Sequence, residues 1–178
     1  MLDWNIDAVF GRPREDANLG TVLFVDPGLE GTGLAYWLDF NRVGPRGVPP
    51  FAHHAIHPST GLEWPQKFGV VMRGFTMLLK SVEPDLVVIE SQAVWTSSPK
   101  SVSSASSGNL LKLVMLTGAM AGECNHQHIA WSLVDPNTWK GQLPKQALKS
   151  RVREALGYSY PEHVWDAVGM GLASKEEL

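Results

Sequence analysis

Two apolar segments of the sequence each end in an acidic residue. Residues 22–25 (VLFV) precede Asp26, and residues 86–89 (LVVI) precede Glu90. Unbroken apolar runs of this length predict strands that are buried on both faces of a sheet. If the two strands are parallel neighbours, about 4.8 Å apart, their carboxylates emerge side by side at one edge. Such a pair suits shared Mg²⁺ ions, which can promote in-line displacement at a phosphodiester. The simpler alternative is that each acid only ends its strand in a turn.

A third acid follows near the end of the chain. His163 and Asp166 are three residues apart in a predicted helix over 162–173, so they share one helical face. The neighbouring positions are apolar, and an acid on such a helix needs a partner or a metal ion. The alternative is an ordinary helix N-terminus with Asp166 facing the helix dipole and a surface histidine.

Basic residues are concentrated between positions 136 and 153, where no acid occurs. They are Lys140, Lys145, Lys149, Arg151 and Arg153. Lys145, Lys149 and Arg153 are four residues apart, so they line one face of a predicted helix. That face could follow a phosphate backbone, which affects affinity more than sequence choice, or it could be an ordinary solvated helix face.

Hydrophobic periodicity predicts the elements that position these residues. Strands are predicted over 22–25, 32–40, 51–57, 86–89 and 129–134, and helices over 64–82, 109–121, 145–156 and 162–173. The helix over 109–121 is apolar nearly all round, which predicts burial on more than one side, either in the core or against a second subunit.

Size and composition favour one domain. The chain has 178 residues, 44% of them hydrophobic, which is enough for a full core. Residues 1–20 are polar with no sustained period and are interpreted as an extension, whereas 21–178 form the domain. The apolar runs are too short to span a membrane, and the single cysteine, Cys124, fits a reducing compartment, so we expect a cytoplasmic protein of a bacterial cell, or of a host cell if it is viral.

The net charge of −3 does not favour nucleic-acid binding, since such proteins usually carry excess lysine and arginine. A local basic strip beside an acidic pocket is nevertheless compatible with DNA once metal ions occupy the pocket. On a strand, Cys124, His126 and His128 would share one face, as ligands of a zinc site would, but no fourth ligand is evident.

Four blocks of the sequence resemble the RuvC family of Holliday junction resolvases, within the RNase H-like nucleases. In chain order they are VLFVDPGLEGTGLAYW, DLVVIESQ, DPNTWKGQLPKQALKSRV and EHVWDAVGMGLA. Together they span residues 21–174. The resemblance implies an α/β fold of the RNase H-like type, with a central five-stranded mixed sheet, an antiparallel meander plus two parallel strands, flanked by helices.

The resemblance also implies functions for particular residues. Asp26, Glu90, His163 and Asp166 would bind two Mg²⁺ ions, for which Mn²⁺ could substitute, and would form the catalytic centre. Lys140 and Lys149 would lie near the scissile or flanking phosphates.

The substrate that the family implies is branched DNA, above all the four-way junction, which a homodimer cuts by paired symmetric nicks. Trp95 falls near the place where the family carries an aromatic residue that can wedge into the junction centre. Three alternatives stay open: cleavage of flaps or forks, cleavage of an RNA-containing duplex, or nucleotide binding of the actin and sugar-kinase type, whose phosphate loop also has an acid followed by Gly and Thr-Gly.

Overall fold

A five-stranded mixed sheet forms the centre of the molecule. The structure is a computed structural model, and it describes residues 20–38, 51–92, 108–141, 143–157 and 159–174. The strands are β1 (Val22–Asp26), β2 (Thr32–Trp37), β3 (Phe51–Ile56), β4 (Leu86–Glu90) and β5 (Ala130–Val134), in the sheet order β3-β2-β1-β4-β5. The pairs β1–β2 and β2–β3 are antiparallel, whereas β1–β4 and β4–β5 are parallel. The predicted meander with two added parallel strands is confirmed.

Helices cover the two faces of this sheet. They are α1 (Trp64–Val82), α2 (Asn109–His126), α3 (Pro136–Trp139), α4 (Lys145–Leu156) and α5 (Trp165–Ala173). Helix α1 has Pro65 in its first turn, and the residue after its end, Glu83, has a left-handed backbone conformation. Gly157, the residue after the end of α4, has a φ of +76°. The predicted bounds of α1 and α4 are confirmed.

Both faces of the sheet are buried, which explains the unbroken apolar runs. Val22 and Phe24 of β1 pack into one core with α4 and α5, while Leu23 and Val25 pack into a second core with α1 and α2. Strand β4 alternates in the same way. Side chains alternate along a strand, so a residue two positions after Phe24 or Val88 points to the same α4–α5 face. Those residues are Asp26 and Glu90.

Helix α2 is longer than predicted. It continues to His126 instead of ending near residue 121, so Cys124 and His126 are helical and His128 lies in a left-handed turn. The strand alternation that a zinc site there would need is therefore wrong. Cys124 is buried in the core, and this burial raises the pKa of its thiol to about 12.

The described part of the chain contains no helix that is both long enough and apolar enough to cross a membrane. Residues 1–19 of the predicted extension over 1–20 fall outside the described ranges, as do residues 39–50 and 93–107.

Candidate metal-binding catalytic site

Asp26 and Glu90 lie side by side at one edge of the sheet. Strands β1 and β4 are parallel and in register from Val22 opposite Leu86 to Val25 opposite Ile89, so the next residues are these two acids. Glu90 is close enough to Asp26 for its charge to raise the pKa of Asp26. Both point to the face that α5 covers. The adjacent carboxylates that the strand pattern predicts are thus brought together.

Lys140 reaches Glu90 and Asp166 from the end of α3, the single helical turn that follows β5. Val134, the last residue of β5, lies opposite Glu90. Asp135 then caps α3 by accepting a hydrogen bond from the Asn137 backbone N–H (2.7 Å), and this single turn brings the chain back over β4. The Lys140 Nζ atom lies 2.9 Å from Glu90 Oε1 and 3.0 Å from Asp166 Oδ1.

Asp166 comes from the first turn of α5 and is buried. His163 does not share that helix, because α5 begins only at Trp165 and residues 162–164 form a turn after Pro161. The prediction of one helix over both residues is wrong. Proline at 161 and the Val164 N–H bond to the Pro161 carbonyl (3.0 Å) favour a separate turn before the helix.

The His163 turn packs directly on the loop that follows Asp26. A Cβ atom at Gly33 would lie 1.3 Å from the His163 carbonyl oxygen, and one at Gly31 would lie 2.2 Å from its Cδ2 atom. The loop itself is fixed by buried Thr32, whose Oγ1 donates to the Gly28 carbonyl (2.8 Å) and accepts from the Gly28 N–H (3.2 Å). Glycine at 31 and 33 therefore permits the approach of His163 to the Asp26 loop.

Crowding of acids in a buried place dominates the electrostatics of the site. Burial raises the pKa of Asp26 well above its usual value, and the charges of Glu90 and Asp166 raise it further, although Asp26 retains some accessible surface. Burial also raises the pKa of Glu90, with Lys140 opposing the shift. For Lys140, burial lowers the pKa, but Glu90 and Asp166 outweigh it, so the net pKa is raised. The lysine is therefore charged and partly neutralises the acids.

His163 has the opposite shift, because burial, His57 and Lys145 together lower its pKa. The rings of His57 and His163 lie 5.5 Å apart between centroids. A lowered pKa keeps the imidazole neutral near pH 7, which is the form that binds a metal ion.

These side chains suit a hard divalent cation. Carboxylate oxygens are the ligands that Mg²⁺ prefers. A bound cation would stabilise the ionised form of acids whose pKa values are raised, because it takes the place of the proton. Among the described residues, no group of three or more His, Cys, Asp or Glu side chains is placed closely enough to hold a metal ion in this arrangement. Lys140 lies between Glu90 and Asp166, where its ammonium group supplies positive charge.

Cationic residues of α4 lie beside the acids. Lys145 and Lys149 both pair with Glu162, Lys145 at 3.1 Å, and Lys145 Nζ also lies 3.5 Å from Asp166 Oδ2. The Arg153 guanidinium lies 6.0 Å from the Trp165 ring centroid, further along the same helix. The predicted basic face exists, and its first lysine, Lys145, contacts Asp166 of the acidic site. Trp95 falls outside the described residues.

Three residues near the site were missed by sequence reasoning. Glu162 belongs to the same turn as His163, His57 directly follows β3, and Lys67 of α1 pairs with Glu30 at 2.6 Å. Lys67 interrupts the apolar face of α1, and this was the one signal in the sequence that could have identified it.

No protein-family model and no curated protein sequence matches the chain. Solved structures do match. RuvC of Thermus thermophilus in complex with a Holliday junction substrate superposes with a TM-score of 0.63 and 18% identity, over 86% of this chain and 91% of that one. The chain has the RuvC fold. A second Thermus thermophilus RuvC structure gives a TM-score of 0.58 and 18% identity over 86% of this chain and 92% of RuvC. The yeast mitochondrial Holliday junction resolvase Ydc2 gives 0.51 and 10% identity over 90% of this chain and 80% of that one. The RuvC fold agrees with the resemblance found in the four sequence blocks.

Proposed function

We propose that this protein is a magnesium-dependent endonuclease that resolves four-way DNA junctions. The observation that carries the proposal is the convergence of Asp26, Glu90 and Asp166, from two parallel strands and a helix, at one edge of a RuvC-type sheet. Nucleotide binding of the kinase type is less well supported, because it requires two related domains around the nucleotide, and the described residues form one sheet with its helices.

Asp26, Glu90 and Asp166 would hold the cations, with His163 as a further ligand from its turn. Bound Mg²⁺ or Mn²⁺ would supply the charge that activates the attacking water and stabilises the leaving oxygen of the phosphodiester. Two ions per site suit this reaction. The strand acids would fix the ions relative to the sheet, and α5, which packs on that face of the sheet, would supply Asp166.

Lys140 would bind a DNA phosphate and would not be a metal ligand. Its ammonium group lies 2.9 Å and 3.0 Å from two of the proposed ligands, so a divalent ion there would repel it. Released from the carboxylates, the side chain would be close enough to contact the scissile or a flanking phosphate. The residues of the adjacent basic face, Lys145, Lys149 and Arg153, would hold the backbone beyond it.

Helix α2 supports the proposal of a homodimer. Its inner face is buried, whereas Leu111, Val114 and Met115 are 64%, 49% and 49% exposed. Gly118 continues the same stripe, and a Cβ atom there would meet open space. These positions follow helical spacing, so they form one apolar stripe that a second copy of the chain could cover.

The dimer has a direct test. We expect wild-type protein to sediment as a dimer and Leu111→Lys to sediment as a monomer. Met77→Lys is the matched control, because Met77 is an apolar residue of a different helix, α1, and is 72% exposed. A monomeric wild-type protein, or a Leu111→Lys variant that stays dimeric, would contradict the proposed interface.

The substrate is tested by cleavage mapping. Purified protein is incubated in Mg²⁺ and in EDTA with matched four-way junction, fork, flap and linear duplex DNA, and the cuts are mapped on every strand. Paired symmetric cuts confined to the junction would support a resolvase. Cleavage of flaps or forks alone would replace the substrate and keep the active site, and no metal-dependent cleavage would overturn the nuclease.

A further inference from the structure

A cavity of about 480 Å³ adjoins Asp26 on the side of the sheet edge that faces α1. Its wall comes from the loop after Asp26, the start of α1 and the first turn of α2, and Asp26 and His163 lie at its border. Cavities of about 300–1,000 Å³ are typical of small-ligand sites. The cavity is thus large enough for part of a nucleotide and is continuous with the acidic site.

Lys67 is an unusual residue on the wall of this cavity. The buried face of α1 consists of Lys67, Val71, Phe75 and Leu79, which are spaced by four, so the lysine occupies a place on the apolar stripe. Lysine is seldom buried unless it is paired, and an apolar residue of similar size is often equally or more stabilising in such a place. Stability alone does not account for a lysine at position 67.

The partner of Lys67 is held much less firmly than the lysine itself. Its Nζ atom lies 2.6 Å and 2.7 Å from the two carboxylate oxygens of Glu30. The Lys67 side chain is 11% exposed, whereas that of Glu30 is 70% exposed. The carboxylate can move into water at little cost, but the ammonium group cannot, so an anion from solution can take the place of Glu30.

A second cation, Lys112, lies on the same wall. Within the described ranges its hydrogen-bond partner is the neutral side chain of Asn109, at 3.2 Å, and no carboxylate lies within ion-pair distance. The acids that face the cavity are Asp26, Glu30 and Glu63, of which Glu63 is the N-cap of α1. Once cations neutralise Asp26 and Glu30 moves away, the two lysines favour an anion.

We propose that this cavity binds a backbone phosphate of the cleaved DNA strand, next to the scissile phosphate. The Glu30 carboxylate pairs with the Lys67 ammonium group until that phosphate displaces it. This inference rests on the proposed nuclease function. Phosphate oxygens accept charge-assisted hydrogen bonds as a carboxylate does, so the exchange preserves the partner that buried Lys67 requires. Glu30 would thereby weaken binding to any DNA that does not place a phosphate in the cavity.

The test measures DNA binding without cleavage. Fluorescence anisotropy in Ca²⁺, a hard cation that takes carboxylate ligands and so neutralises Asp26, gives the dissociation constants of four-way junction and linear duplex over a range of salt concentrations, for wild type, Glu30→Gln, Lys67→Met and the double variant, and a gel checks that the DNA stays intact. Lys80→Met is the control, since Lys80 is exposed in the last turn of α1. Glu30→Gln keeps an amide oxygen that can accept a hydrogen bond from Lys67, and thermal melts check that each variant is folded.

We expect Glu30→Gln to bind junction about 3- to 10-fold more tightly at low salt, and Lys67→Met to bind it more weakly. The slope of the logarithm of the association constant against log salt is negative, and it should become about 0.9 less steep for Lys67→Met, the effect of one lost phosphate contact. In the Lys67→Met background, Glu30→Gln should have no effect. An unchanged Glu30→Gln gain in that background, or equal affinities for Lys67→Met and Lys80→Met, would overturn the proposal.

The two proposals fail separately. Junction cleavage by wild type in Mg²⁺ without coupling between Glu30 and Lys67 would refute the subsite and leave the nuclease intact. Coupling in the binding measurement with no cleavage of any substrate would support the subsite and refute the nuclease.

Discussion

Replacing Lys140 with methionine removes the cation that joins two buried acids. The Nζ atom contacts Glu90 Oε1 and Asp166 Oδ1, and the side chains of these acids are only 8% and 9% exposed. Breaking a buried ion pair from one side costs about 3–5 kcal/mol, because the remaining charge is left without a partner. Lys140 itself is 22% exposed and Glu90 can take up a proton, so we expect the lower end, about 3 kcal/mol at pH 7.5 in EDTA. In a chain of this size that corresponds to a fall of about 6–12 °C in Tm.

The loss should depend on pH with a definite sign. Without the lysine, the pKa of Glu90 in the folded state rises further above its unfolded value, since Lys140 opposes the upward shift. A raised acid pKa destabilises the fold only above the unfolded pKa, and the penalty grows as pH rises through the folded pKa. The difference between Lys140→Met and wild type should therefore shrink toward pH 5.

Thermal and urea denaturation in EDTA at pH 5 and 7.5 measure this difference. The control is Lys80→Met, an exposed lysine whose loss should stay within about 0.5 kcal/mol. Saturating Mg²⁺ should restore more stability to Lys140→Met than to wild type, because the wild-type ammonium group repels the ion from Glu90 and Asp166. An ion at about 100 times its Kd adds about 2.7 kcal/mol. Equal stability of Lys140→Met and wild type at pH 7.5, or a loss that does not change with pH, would refute this reasoning.

Three further predictions follow from the site. Glu162→Gln frees two lysines of α4 and should tighten duplex binding at low salt by about 3- to 10-fold. Since hydrogen bonds from those lysines lower the pKa of Glu162 to about 2, anisotropy should show the same gain from pH 5 to 8. Gly33→Ala places a methyl group against the His163 carbonyl oxygen and should cost about 2 kcal/mol or more, with a matching loss of Mn²⁺-induced stabilisation in thermal melts; an unchanged Tm would contradict the packing. Mg²⁺ binding should strengthen from pH 6 to 8 and release protons, because the pKa values of Asp26 and Glu90 are raised, and calorimetry in two buffers of different ionisation enthalpy detects this; pH-independent affinity would argue against it.

The strand part of the site could be predicted from the sequence because its information is local. An apolar run buried on both faces identifies each strand, and period-two alternation places Asp26 and Glu90 on the face of Phe24 and Val88. The basic face of α4 follows from spacing by four in the same way.

The remaining part of the site depends on long-range contacts. Lys140 lies 50 residues from Glu90 in the chain, and Lys67 lies 37 residues from Glu30, so no periodicity relates them. The error at His163 had a local cause, since Pro161 delays the start of α5 until Trp165. The all-round apolar character of α2 did not reveal which face packs inward, because both faces carry large apolar side chains.

The most direct test of the proposed function compares strand cleavage of a four-way junction in Mg²⁺ by wild type, Glu90→Gln and Glu154→Gln. Glu154 is the matched control, an exposed acid on α4. We predict paired symmetric cuts by wild type and Glu154→Gln, and a loss of about 100-fold or more for Glu90→Gln, since an amide does not replace the lost charge and about 3 kcal/mol of transition-state stabilisation corresponds to that factor. Full activity of purified, folded Glu90→Gln would contradict the assignment of the metal-binding carboxylates.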